Sequence, residues 1–167
     1  MATTGNFTLT TSGDREIVMT RVFDAPRDLV FRALTTPELL KRWFGPHGWT
    51  LTECDVDLRV GGAWRFLSVG PKGRTMVMRG VYREIARPER IQYTESFDDW
   101  AEQGSALVTT TLIEQGGKTT LTCVSLAPSR DVRDAVIQSG MEHGAAETYD
   151  RLADVLRSLA TASEKTP

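Results

Sequence analysis

Residues 130–160 read RDVRDAVIQSGMEHGAAETYDRLADVLRSLA. Val132, Ile137, Met141, Ala145, Thr148, Leu152, Val155, Leu156 and Leu159 recur at spacings near that of an α-helix and form one apolar stripe. The stretch predicts a long C-terminal helix from about Arg130 to Ala160. Upstream of it the period changes. From Thr50 to Leu126 apolar residues alternate with polar ones, which predicts strands at 50–58, 63–69, 74–86, 90–98, 106–115 and 118–126. Gly61-Gly62, Pro71-Lys72-Gly73, Arg87-Pro88-Glu89 and Gly116-Gly117 mark tight turns between strands. Such short connections require antiparallel neighbours, because parallel ones need a long crossover. A sheet of this kind with one wet face must bury the other, and only the C-terminal helix is long enough to cover it.

Working outward toward the N-terminus, residues 15–24 (REIVMTRVFD) predict a further strand. Ala25-Pro26 opens a short helix, with Pro at its first position and Leu29, Val30, Ala33 and Leu34 as its apolar stripe. Thr36-Pro37-Glu38 caps a second short helix to about Phe44, which Gly45, Pro46 and Gly48 end. The reading is an α+β domain over 15–160, with a curved antiparallel sheet wrapped around the long helix. Residues 1–14 and 161–167, polar and lacking periodicity, are expected to be flexible ends.

A chain of 167 residues fits one domain with a real core. Its net charge of −2 provides no basic excess to draw nucleic acid or an anionic membrane. No apolar run exceeds three residues, so no transmembrane helix is expected. No secretory signal is visible at Met1 to Ser12, and a cytoplasmic location is expected. Cys54 and Cys123 lie far apart without a CxxC and read as two buried thiols. His47 and His143 are the only histidines, and His143 with Glu147 is a lone i, i+4 pair, so no metal is expected. The absence of GxSxG, P-loop and GxGxxG strings removes support for a serine hydrolase, an NTPase or a dinucleotide cofactor.

Several strings carry a resemblance. They are Phe23-Asp24-Ala25-Pro26, Val30-Phe31-Arg32-Ala33-Leu34-Thr35, Pro37-Glu38 through Trp43-Phe44-Gly45-Pro46, and Asp57-Leu58-Arg59-Val60-Gly61-Gly62. Further on come Gly80-Val81-Tyr82-Arg83-Glu84-Ile85, Pro88-Glu89-Arg90-Ile91, and Gly140-Met141 with Gly144. With this order of elements the chain resembles the SRPBCC (START/birch-pollen-allergen-like) superfamily. Within it, the chain is similar to bacterial homologues of the activator of the heat-shock-protein-90 ATPase. The resemblance implies a helix-grip fold with an internal pocket that often binds an apolar or aromatic molecule. The eukaryotic activator also carries an extra N-terminal domain, for which this chain has no room.

Alternation places Trp64 and Phe66, then Met76, Met78 and Tyr82, then Ile91, Tyr93, Glu95 and Phe97 on one face of adjacent strands. These residues either fill a plain core or wall the pocket that the resemblance implies. Met141 and Gly144 are expected to face them from the helix. The two short helices, with Trp43 and Phe44 between them and the sheet, are expected to close the mouth. Trp100 in the loop after Phe97 is a candidate lid, rim residue or homodimer contact. Gly140 and Gly144 each cost about 1 kcal/mol inside a helix. Room for a ligand, close approach to the sheet or a kink would explain them. Glu95 would titrate high if desolvated and could then act as a general acid or base; otherwise it forms a salt bridge with an arginine or lies in a register that reaches solvent. Glu53, Asp55 and Asp57 read as a solvated ladder opposite Arg65 or Arg79, and Asp57 with Arg59 as a turn-fixing pair.

Three functions follow as expectations. The first is a protein that binds a small apolar or aromatic molecule. The second is a cyclase/aromatase- or hydrolase-like enzyme using Glu95 or Tyr82/Tyr93 as acid–base groups. The third is a chaperone-interacting stress-response module.

Overall fold

In the computed structural model, which describes residues 7–164, the alternating stretches become eight strands. They are β1 (Thr8–Ser12), β2 (Glu16–Phe23), β3 (Thr50–Val56), β4 (Ala63–Val69), β5 (Thr75–Ala86), β6 (Arg90–Phe97), β7 (Ala106–Gln115) and β8 (Lys118–Leu126). They form one sheet in the order β1-β2-β8-β7-β6-β5-β4-β3, with every neighbouring pair antiparallel. The helices are α1 (Arg27–Thr35), α2 (Pro37–Trp43), α3 (Arg130–Gln138) and α4 (Met141–Glu164).

Three local features differ from the sequence reading. β1 falls where a flexible end is expected: Thr8 pairs with Thr20 and Ser12 with Glu16. A threonine-rich edge strand shows no apolar alternation, so its β-propensity alone had to carry the signal. The C-terminal helix runs on to Glu164, past the expected end at Ala160. Residues 1–6 and 165–167, the remainder of the two expected flexible ends, lie outside the described residues. Lastly, the long helix is two helices. Gly140, at φ +83°, separates α3 from α4, a conformation that only glycine adopts without steric cost.

The caps explain the other boundaries. Pro26 is the residue before α1 rather than its first residue, and its carbonyl accepts from the Leu29 and Val30 amides at 3.1 and 3.2 Å. Thr36 precedes α2 as expected, with Pro37 in the first turn, but its hydroxyl makes no capping bond. Ser129 does cap α3, its hydroxyl accepting from the Val132 amide at 3.1 Å. Arg59 donates to Asp57 at 2.9 Å, the turn-fixing pair of the sequence reading.

The interior is filled at one end and hollow at the other. Leu152, Val155 and Leu156, on the C-terminal part of α4, pack in the buried core with Val30, Phe31, Leu112 and Leu121. The earlier turns of α4 instead border a cavity. Arginines fix the helices over this space. Arg21 on β2 pairs with Asp150 at 2.7 Å. Arg133 on α3 donates to the carbonyls of Gly13 and Glu16, each at 3.2 Å. Arg151 donates to the Gly45 carbonyl at 2.7 Å and to that of Trp49 at 3.4 Å, holding the segment after α2 against α4.

Candidate ligand pocket

The concave face of the sheet and the α3–α4 pair enclose a cavity of about 490 Å³. Its floor follows from strand register. Phe66 on β4 lies opposite Met78 on β5, which lies opposite Phe97 on β6. A second row runs Tyr82, Tyr93, Val108, Ser125 and Ile17 across five strands. A third runs Ile91, Thr110, Cys123 and Met19. All of these residues border the cavity, because residues in register on an antiparallel sheet point the same way.

An aromatic wall lines one side. Trp43 and Phe44 have ring centroids 5.8 Å apart, Phe44 and Phe66 5.0 Å, Phe66 and Trp64 4.9 Å, Trp64 and Tyr93 5.5 Å, and Tyr93 and Tyr82 6.1 Å. Most of these pairs are edge-to-face or tilted, the arrangement aromatic quadrupoles favour. Trp64 lies against a pit in β5 made by Gly80. A Cβ there would meet the Thr94 carbonyl oxygen at 1.7 Å and the Trp64 Nε1 at 2.7 Å. That Nε1 is buried without a hydrogen-bond partner, whereas the Trp43 Nε1 donates to the Ala33 carbonyl at 3.0 Å. Met141 and Gly144 border the cavity from α4, and a Cβ on Gly144 would only touch Pro46, at 3.7 Å.

Leu40 and Trp43 of α2 border the cavity and are buried. The exposed bordering residues Trp100, Gln103 and Gly104 belong to the segment after Phe97. Trp100 is 53% exposed and leans on Phe97 with centroids 5.5 Å apart. Gly140 is exposed and a Cβ on it would meet nothing, so it breaks the helix without making room for a ligand.

Glu95 is the only charged residue bordering the cavity among the described residues. Its carboxylate has no hydrogen-bond or ion-pair partner among the described residues, and Glu95 is half-buried; Arg79 donates twice to Asp98 on the outside. Burial pushes the Glu95 carboxyl up to about 7. Neutral polar groups surround it. Tyr93 and Tyr149 are held well above the usual phenol range and Cys123 is raised to about 11, all chiefly by burial; the Glu95 charge comes second for Tyr93 and Cys123, and Cys123 comes second for Tyr149. The Thr110 and Tyr149 hydroxyls oppose part of that rise at the Cys123 thiol.

Sequence reasoning missed Tyr149, Cys123, Thr110 and Trp49 as bordering residues. Carrying the register from β6 into β7 and β8 would have found Thr110 and Cys123. Tyr149 lies one turn along from Ala145 and was hidden by the polar residues around it. Outside the pocket, Glu147 meets His143 at 3.6 Å and also His47 at 3.9 Å. No group of three ligands that could hold a metal occurs among the described residues.

Residues 24–157 match the family described as Activator of Hsp90 ATPase homolog 1-like protein. The chain belongs to that family. Solved structures similar to this chain share two thirds or more of it. A protein from Rhodobacter sphaeroides is 31% identical over 91% of this chain and 99% of its own, with a TM-score of 0.84. A protein from Chromobacterium violaceum is 29% identical over 84% and 96%, with a TM-score of 0.74. An HSP90 activator from Plasmodium falciparum is 25% identical over 68% and 73%, with a TM-score of 0.53. No curated protein matches the chain. Among the described residues no helix is long and apolar enough to cross a membrane.

Proposed function

We propose that this Hsp90-activator-like chain holds a small apolar or aromatic molecule between its sheet and α4. The observation that carries the reading is the void itself, bounded by ring faces, Met76, Met78 and Met141 in a domain whose other end is densely filled. Packed interiors rarely leave space of this size. A bicyclic aromatic probe such as 2-naphthylmethanol is expected to bind at about micromolar strength and to quench the emission of Trp64. Gly144→Leu projects a side chain into the space beside Pro46, so it is expected to weaken the probe about tenfold or more. Helix propensity favours that substitution, so the fold is kept. Unchanged affinity in the variant, or no binding in the wild type, would remove the reading.

A second reading, contact with a heat-shock chaperone, draws on the likeness to the Plasmodium activator. It predicts that the purified chain raises the ATPase rate of an Hsp90 from its own source. An unaltered rate would end it.

A further inference from the structure

We propose that the ligand of this cavity is an organic cation, a protonated amine on an apolar or aromatic body, with its nitrogen seated at Glu95. The inference rests on the ligand-binding reading and adds the chemical class.

Glu95 is the sole charge on the wall, and no lysine, arginine or histidine borders the space among the described residues. Glu95 is half-buried and borders the cavity, so a neutral apolar occupant would displace the water at its carboxylate and supply no partner in exchange. An anionic occupant would meet that charge with no cation to offset it. An ammonium group satisfies it, and the faces of nearby aromatic side chains such as Tyr93 and Phe97 add favourable contacts for a cation. The titratable groups whose charge Glu95 influences are Tyr93 on β6, Cys123 on β8 and Tyr149 on α4, and Tyr82 on β5 borders the same cavity. Burial raises the titratable ones among these, so each stays neutral around pH 7. Glu95 is therefore the group that changes charge in this window.

The sign of the pH dependence follows. Pairing with an ammonium requires ionised Glu95, so below pH 7 binding must expel its proton. Amine affinity should then fall by up to about tenfold per pH unit, and above pH 7 it should level off. A neutral isostere should show no such slope.

The test compares 2-naphthylmethylamine, 2-naphthylmethanol and 2-naphthoate by isothermal titration, with wild type and Glu95→Gln. At pH 8 the amine is expected to bind about tenfold tighter than the alcohol, and the naphthoate weakest. In Glu95→Gln the amine loses this advantage while the alcohol keeps its affinity. An amine no tighter than the alcohol at pH 8, or an advantage that survives in Glu95→Gln, overturns the cation assignment and leaves the pocket reading standing. Failure of all three probes in the wild type overturns both. Should Glu95→Gln fail to fold, the wild-type pH profile decides alone: a flat amine profile from pH 5 to 8 refutes the proposal.

Discussion

Glu95 sits between Tyr93 and Phe97 on the inner face of its strand, and period two alone was enough to place it there. The same alternation put Arg79 on the outer face; what it could not say was whether an arginine from another strand or helix would reach Glu95. Arg79 lies on the outer face with Asp98, so the acid is left alone. This has a consequence for stability. The folded state raises the carboxyl from 4.5 to about 7 through burial, so it binds the proton more tightly than the unfolded chain does. Glu95 therefore favours folding fully below pH 4.5, and this contribution is lost as pH rises through 7. The loss is up to about 3 kcal/mol, less whatever water in the cavity restores. Urea unfolding of the ligand-free protein at pH 5 and pH 8 should show it in the wild type and not in Glu95→Gln. Equal pH dependence in both proteins would mean that the carboxylate is solvated.

At the scale of elements, strands and turns were legible because both faces of the code were present: apolar alternation within β4 to β8 and Gly or Pro between them. The reading failed where one signal was missing. β1 lacks apolar residues on one face, and the apolar stripe runs through Gly140 as though the helix were continuous. Only the backbone conformation at that glycine reveals the break. The segment between α2 and β3 has no periodicity at all, and its position rests on Arg151, whose guanidinium serves several of its carbonyls. Arg151→Met keeps much of the aliphatic packing and removes these bonds. Amide exchange across 44–49 is expected to speed up, with a loss of about 1–3 kcal/mol in stability. Exchange confined to its wild-type rate would show that packing alone holds the segment.

For the whole molecule, the division between a filled and a hollow end makes a contrast that can be measured on one helix. Leu152 is fully buried and belongs to the core, whereas Met141 stands at the cavity. Leu152→Ala is expected to cost about 2–5 kcal/mol and Met141→Ala less than about 1 kcal/mol. Similar costs for the two would mean that the cavity is collapsed in solution. The composition and the long apolar stripe foretold that a helix would cover the sheet. They could not apportion its turns between packing and void, since that depends on the volume of residues facing it from five strands.

The sheet order has one more effect, on how the chain is made. β2 pairs with β8, so that Glu16 lies opposite Leu126. At ordinary elongation rates the β1–β2 hairpin waits roughly 5–20 s on the ribosome before its partner strand exists. Through that interval Ile17, Met19 and Phe23 have no surface to rest on, while the local hairpins from β3 onward can zip as they emerge. Closure of the domain is thus set by its most distant pairing, and the nascent chain carries its N-terminal hairpin as an unprotected sticky end until nearly the whole domain has been translated.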